Sequence, residues 1–205
     1  MTDARITLAH GNGGRFMREL IEDVIADALE NPTLDVRSDA ATVEFDAPEL
    51  VITTDGFTVQ PLEFPGGSIG TLAVYGTVND LAVGAALPLY LSLNVIVEEG
   101  FALDAFQRLM RDVGRSAQAA GVAIVTGDTK VVPRGQAGGL YLVTTGVGRP
   151  MRPSNQHPLG MNCIEAGDAV LVSGPIGDHG TAVLLAREEF GLSGSLQSDC
   201  ANVLP

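Results

Sequence analysis

Two hydrophobic periods alternate along this sequence, and their order leaves few architectures open. Over residues 16–29, Met17, Leu20, Ile21, Val24, Ala28 and Leu29 recur at three- and four-residue steps, with Glu19, Glu22, Asp23 and Asp27 on the other side. That spacing predicts an amphipathic helix, which Asn31-Pro32 ends. Over 103–120, Leu103, Phe106, Met110, Val113 and Ala117 form one stripe, and Gly121 stands where a helix usually stops. A third pattern, 69–83, is small and apolar almost all round, which suits a helix packed closely on a sheet. Between them lie strand candidates at 49–54, 90–98, 122–126, 139–148 and 169–173, rich in Val, Ile, Leu, Tyr and Thr. Helices and strands interleaved in this order predict an α/β fold, a mixed sheet with helices layered on it.

The stretch 148–158 concentrates proline and turn formers and is the predicted boundary between a first domain, 1–152, and a second, 153–205. Beyond it stand one strand candidate, a glycine-rich loop at 174–180 and a short helical pattern at 181–189. Two elements cannot bury a core, so 153–205 is expected to be the start of a second α/β domain, truncated, or an extension that packs on the first domain or on another subunit. With 205 residues, 45% of them apolar, the chain has material for one sizeable core.

Charge narrows the partners. Twelve Lys+Arg against 25 Asp+Glu give a net charge of -13, which repels nucleic acid and anionic membrane alike, so neither is expected. The apolar run 81–97 is broken by Gly84, Pro88, Ser92 and Asn94 and falls short of a membrane span. The first residues lack the pattern of a secretory signal, and the two cysteines, Cys163 and Cys200, make neither a disulfide framework nor a zinc spacing. A cytoplasmic location is expected.

Three aspartates stand beside apolar runs: Asp55, Asp80 and Asp128. Asp55 and Asp128 look like carboxylates delivered at the C-terminal ends of buried strands, where ligands of α/β proteins gather. Converging carboxylates suit Mg²⁺, a small hard ion that bridges phosphates; each aspartate alone fits a turn or a helix cap as well. Lys130 is the only lysine among the twelve basic residues, retained where arginine serves everywhere else. A compact point charge beside Asp128 suits a phosphate or a developing anion. The glycines at 11, 13 and 14 precede the first helix, so their amides and that helix terminus can cradle phosphate oxygens. Neither GxxxxGK[ST] nor GxGxxG occurs, which removes a P-loop or a Rossmann site. His10 stands beside the glycines; His157 falls in the boundary, and His179 starts a helix, where capping or packing is its ordinary use.

The strings AHGNGG (9–14), TTDGF (53–57), FPGGSIG (64–70), GTVNDLA (76–82), GAALPLYLS (84–92), EEG (98–100), GDTKVV (127–132) and SGPIGDHG (173–180) together resemble the HypE family of hydrogenase maturation factors. That family lies in the ATP-binding superfamily of aminoimidazole ribonucleotide synthetase, selenophosphate synthetase and thiamine-monophosphate kinase. The resemblance implies an aminoimidazole ribonucleotide synthetase-like N-terminal domain that forms a homodimer through its sheets, with ATP and Mg²⁺ at the interface. It places metal-binding acids at Asp55, Asp80 and Asp128, and phosphate contacts at Gly11, Gly13, Gly14, Asn79, Thr129 and Lys130. Lys130 and Asp80 are the implied catalytic residues.

The implied activity is that of a lyase in cyanide ligand biosynthesis. A partner carbamoyltransferase loads a carbamoyl group on a C-terminal cysteine, ATP phosphorylates its oxygen, and loss of phosphate leaves a thiocyanate. The cyanide then passes to iron on a scaffold complex of maturation factors. HypE-like chains are longer and end in the acceptor cysteine; neither Cys163 nor Cys200 is terminal, so the resemblance gives neither that role and implies a chain inactive alone. The alternatives are a sister-family ATP-dependent small-molecule kinase or synthetase, and a non-catalytic platform for partner assembly. Strands at 89–97 and 140–148 are the candidate dimer surfaces.

Overall fold

A computed structural model describes residues 4–38, 40–151, 163–172, 174–187 and 194–204. The first helical pattern forms α1 (Arg15–Leu20), a π-helical stretch (Ile21–Ala26) and α2 (Asp27–Leu29), ending on left-handed Glu30 at φ 47°. Next come β1 (Val51–Phe57), then β2 (Glu63–Phe64) and β3 (Gly67–Ser68), which pair as a small ribbon.

Ser68 then starts α3 (Ile69–Val83), its hydroxyl accepting from the Thr71 amide at 3.4 Å and so satisfying one of the orphan donors of a helix start. After β4 (Ala86–Glu98), α4 (Leu103–Ala120) closes on Gly121, whose φ of 69° is the left-handed stop that glycine adopts at least cost. Both helices have the bounds their patterns predict. β5 (Ala123–Val132), β6 (Leu140–Pro150) and α5 (Asp178–Ala186) complete the elements.

The four long strands form a mixed sheet in the order β1-β6-β4-β5. β4 and β5 are parallel, joined through α4; β6 runs antiparallel to β4 and β1. α3 lies against α4 and over β1, β6 and β4. Alternation in the strands follows: Leu91, Leu93, Val95 and Val97 of β4, with Leu140 and Leu142 of β6, are buried beneath the helices among Ile69, Val74, Val78, Phe106, Met110 and Val113. This is the α/β arrangement that the interleaved patterns predict.

The opposite face of the sheet carries no helix layer among the described residues. Asn94, Ile96, Tyr141, Val143, Thr145 and Val147 are half-buried there, and Ile52 is 62% exposed. Residues 44–46 flank one end of it, with Tyr90 Oη donating to the Glu44 carbonyl at 2.9 Å and Arg149 paired with Asp46 at 3.3 Å.

Two expectations need correction. β1 and β5 run further than predicted, so Asp55 and Asp128 lie within strands and not past their ends. Of the candidate strand 169–173, residue 173 lies outside the described residues, and 169–172 form no strand with any described residue; Val170 and Leu171 are 89% and 91% exposed. Their β-branched composition favours a strand, but a strand exists only against a partner. The predicted boundary residues 152–158, His157 included, lie outside the described residues. No helix among the described residues is long and apolar enough to cross a membrane.

Candidate functional site

The sheet register sorts the candidate residues into two groups. Asp55 pairs with Thr144 across β1 and β6, and Thr144 Oγ1 donates to the Ala73 carbonyl of α3 at 2.9 Å. Asp55 therefore faces the helices. On the same face, Thr53 Oγ1 donates to Asp80 Oδ2 at 3.2 Å, and the Phe57 ring fills the space against Gly76, where an added Cβ would meet it at 2.6 Å. β1 thus brings Asp55, Asp80 and the Thr53 hydroxyl to one edge of the sheet. These are hard oxygen donors of the kind Mg²⁺ takes.

The second group is on β5, at the other edge. Asp128 pairs with Asn94 and Lys130 with Ile96, so both project from the face without helices. Asp128 Oδ1 accepts from the Thr129 amide at 2.8 Å. Thr129, between them, points the opposite way and is buried, so its side chain is not on the surface that Lys130 occupies. The glycine loop lies along this edge. Gly11 is in contact with β5, since a Cβ there would come within 2.8 Å of Val131 Cβ. Gly13 takes φ 78° in open space, and Gly14 precedes α1 with its amide donating to Asn12 Oδ1 at 3.1 Å. His10 Nδ1 accepts from the Thr7 amide at 3.0 Å, which leaves Nε2 as the ring's donor.

One chain does not unite these groups. Asp55 and Asp128 lie on opposite faces and on the first and last of four strands, roughly 14 Å apart at ordinary strand spacing. Among the described residues no three His, Cys, Asp or Glu side chains come close enough to hold a metal ion.

Asn79, next to Asp80 on α3, has both ends of its amide engaged: Nδ2 donates to the Ala201 carbonyl at 2.9 Å and Oδ1 accepts from the Val203 amide at 3.0 Å. The segment it holds also carries Asp199, whose carboxylate accepts from the amides of His179 at 2.8 Å, Gly177 at 2.9 Å and Asp178 at 3.3 Å, at the start of α5. Those donors, His179 first, hold the Asp199 carboxyl below its ordinary range. His179 Nδ1 lies 3.0 Å from Ser198 Oγ, and its ring meets the edge of Phe64. Sequence reasoning missed 198–203 altogether, because these contacts span long separations and follow no period. Cys200 lies in the same segment; burial, and then the Asp199 charge, push its thiol up to about 11.

The chain is 46% identical over 201 residues to the carbamoyl dehydratase HypE of Rhizobium leguminosarum bv. viciae, covering 98% of this chain and 57% of that protein. It is 44% identical over 205 residues to the HypE of Escherichia coli (strain K12), covering 98% and 60% respectively. The chain thus spans somewhat under two thirds of the curated relatives it matches. A crystal structure of the hydrogenase maturation protein HypE in complex with ATP superposes with a TM-score of 0.86 at 42% identity, covering 97% of this chain and 58% of that one. HypE in a HypE–HypF complex superposes at 0.67, again at 42% identity, over 90% and 59% of the two chains. Residues 37–149, which contain every candidate carboxylate and Lys130, match the model for the N-terminal domain of AIR synthase related proteins, and the chain belongs to that family.

Proposed function

We propose that this chain is the nucleotide-binding and dimerising part of a HypE-type [NiFe] hydrogenase maturation protein, acting in the cytoplasm, where ATP is available. Its reaction is the ATP-dependent dehydration of a cysteine S-carboxamide. The carboxamide oxygen attacks the γ-phosphorus of ATP, the bond to ADP breaks, and the nitrogen gives up a proton. Loss of phosphate and the second nitrogen proton leaves S-cyanocysteine. The acceptor cysteine belongs to the part of the relatives that this chain does not span, and Cys200, with its raised thiol, is unsuited to that role.

The observation that carries this reading is the division of the site. One edge of the sheet holds Asp55, Asp80 and Thr53; the other holds Lys130, Asp128 and the 11–14 loop. A second copy, packed on the half-buried face without helices and reaching around the β1 edge, brings the lysine and glycine loop of one protomer beside the Asp55 and Asp80 edge of the other. Lys130 then sets its ammonium against the transferring phosphoryl, where charge builds in the transition state. The loop amides bind the remaining phosphate oxygens. Mg²⁺ held by Asp55 and Asp80 of one protomer and Asp128 of the other would neutralise phosphate charge. The HypE solved with ATP supports the nucleotide, and the HypE–HypF complex supports a maturation partner. A carbamoyltransferase that loads the cysteine and an iron scaffold that takes the cyanide are the partners this chemistry requires.

The test is calorimetric titration with Mg-ATP, with mass measured by light scattering on the same sample. The wild-type chain is expected to bind as a dimer, and Asp80→Ala and Lys130→Ala each to lose binding. Mixed after unfolding and refolding together, the two variants should recover about a quarter of the sites, because half the dimers are mixed and each mixed dimer has one intact site. A monomer that binds fully, or variants that bind like wild type, would overturn the proposal; capture of partners without nucleotide binding would favour an assembly platform.

A further inference from the structure

The carboxamide of Asn79 is oriented by its partners. Turned over, it would set its oxygen against the Ala201 carbonyl and its NH₂ against the Val203 amide, like against like, so the hydrogen bonds at 2.9 and 3.0 Å assign one orientation. The backbone it grips is 122 and 124 residues further along the chain. That segment is anchored at three more points. The Ser198 amide donates to the Pro65 carbonyl at 2.8 Å, and Gly66 approaches so closely that a Cβ there would come within 2.8 Å of Ser198 N. Asp199 accepts from the three amides that open α5, and Leu204 packs on the core. Residues 198–204 therefore form a strap tying the loop at 177–180 to α3, at the residue next to Asp80.

We propose that Asn79 is a positioning residue: it latches the strap to α3 and thereby holds the 177–180 loop against the Asp80 edge of the nucleotide site, raising nucleotide affinity without touching the nucleotide. This replaces the phosphate contact that the resemblance implies for Asn79, and it rests on Asp80 belonging to the Mg-ATP site. Pro65 and Gly66, Asn79, and Gly177 to His179, each from a different one of the strings that carry the resemblance, meet on this strap. An amide contributes here by shape as much as by charge: it supplies one donor and one acceptor side by side, matching a carbonyl and an N–H two residues apart on the 198–204 segment.

Hydrogen exchange on the full chain without nucleotide, read beside Mg-ATP affinity, separates a latch from a ligand. In Asn79→Ala the Val203 and His179 amides are expected to exchange about tenfold faster, and Mg-ATP to bind several-fold more weakly, in keeping with the loss of a pair of hydrogen bonds that restrain a local opening. Asp199→Ala, which frees the α5 end of the strap and leaves Asn79 in place, should speed exchange at His179 and weaken Mg-ATP in the same way. It serves as the second measurement if Asn79→Ala does not fold. Weaker nucleotide binding in Asn79→Ala with Val203 still protected would make Asn79 a direct ligand and overturn the proposal. A loosened strap with unchanged affinity would make it purely structural and overturn it equally. A wild-type chain that binds no Mg-ATP would overturn the nucleotide reading and the positioning role with it, while the exchange data still judge the latch by itself.

Discussion

Cys200 and Glu98 show how little of a side chain's chemistry is written in its own letter. A thiol pushed up to about 11 by burial, beside the Asp199 charge, carries roughly two orders of magnitude less thiolate at pH 8 than an ordinary cysteine of pKa about 8.5. Alkylation by iodoacetamide, followed peptide by peptide in a mass spectrometer, is expected to leave Cys200 largely intact while exposed Cys163 is modified. Cys200 reacting as fast as free cysteine would contradict the burial described for it. Glu98 has the opposite displacement: its carboxylate accepts from the amides of Gly135 and Gly139, the latter at 3.0 Å, and these bonds hold its pKa below 4.5. The sign follows from linkage. With the folded pKa below the unfolded one, the stabilisation is present above the ordinary carboxylate pKa and is lost as pH falls through the folded value. Urea unfolding of wild type and Glu98→Gln should therefore differ at pH 7 and converge towards pH 3, and an undiminished gap at pH 3 would refute the role given to these bonds.

At the scale of elements, one tight constraint is the crossing of α4 with the first helix. A Cβ at Gly114 would collide with the Ala28 carbonyl and come within 3.1 Å of Leu29 Cα, so the two helices meet backbone to backbone there. Gly114→Ala must push them apart, at a cost of about 1–3 kcal/mol typical of overpacking, seen as a lower melting temperature. An unchanged melt would mean the helices have slack at that point. The helices themselves were legible: Ser68 and Gly121 are local signals, and α3 and α4 begin and end on them. β5 was half legible. Its extension through Asp128, Thr129, Lys130 and Val131 alternates outward and inward as a strand should, yet Gly127 followed by Asp128 and Lys130 resembles a loop until β4 is seen beside it. The positions of Asp55 and Asp128 on opposite edges were not legible, because sheet order is decided by contacts between distant segments. The same holds for Asn79, whose partners lie beyond any local window.

At the scale of the whole molecule, residues 169–172, Ala-Val-Leu-Val, stand exposed on a chain with a net charge of -13. An exposed apolar, β-branched segment can pair with any strand that reaches it, and mutual repulsion keeps two such molecules apart. That repulsion extends about 30 Å at 0.01 M salt and about 3 Å at 1 M. Light scattering should therefore record a clear solution at low ionic strength turning turbid as sodium chloride is added, with Val170→Lys remaining clear; salt-independent scattering would mean the segment is covered in solution. The chain's acidity, which at first served only to exclude nucleic acid and membrane, thus acquires a colloidal purpose: it keeps an adhesive segment from its neighbours for as long as water, and not salt, lies between them.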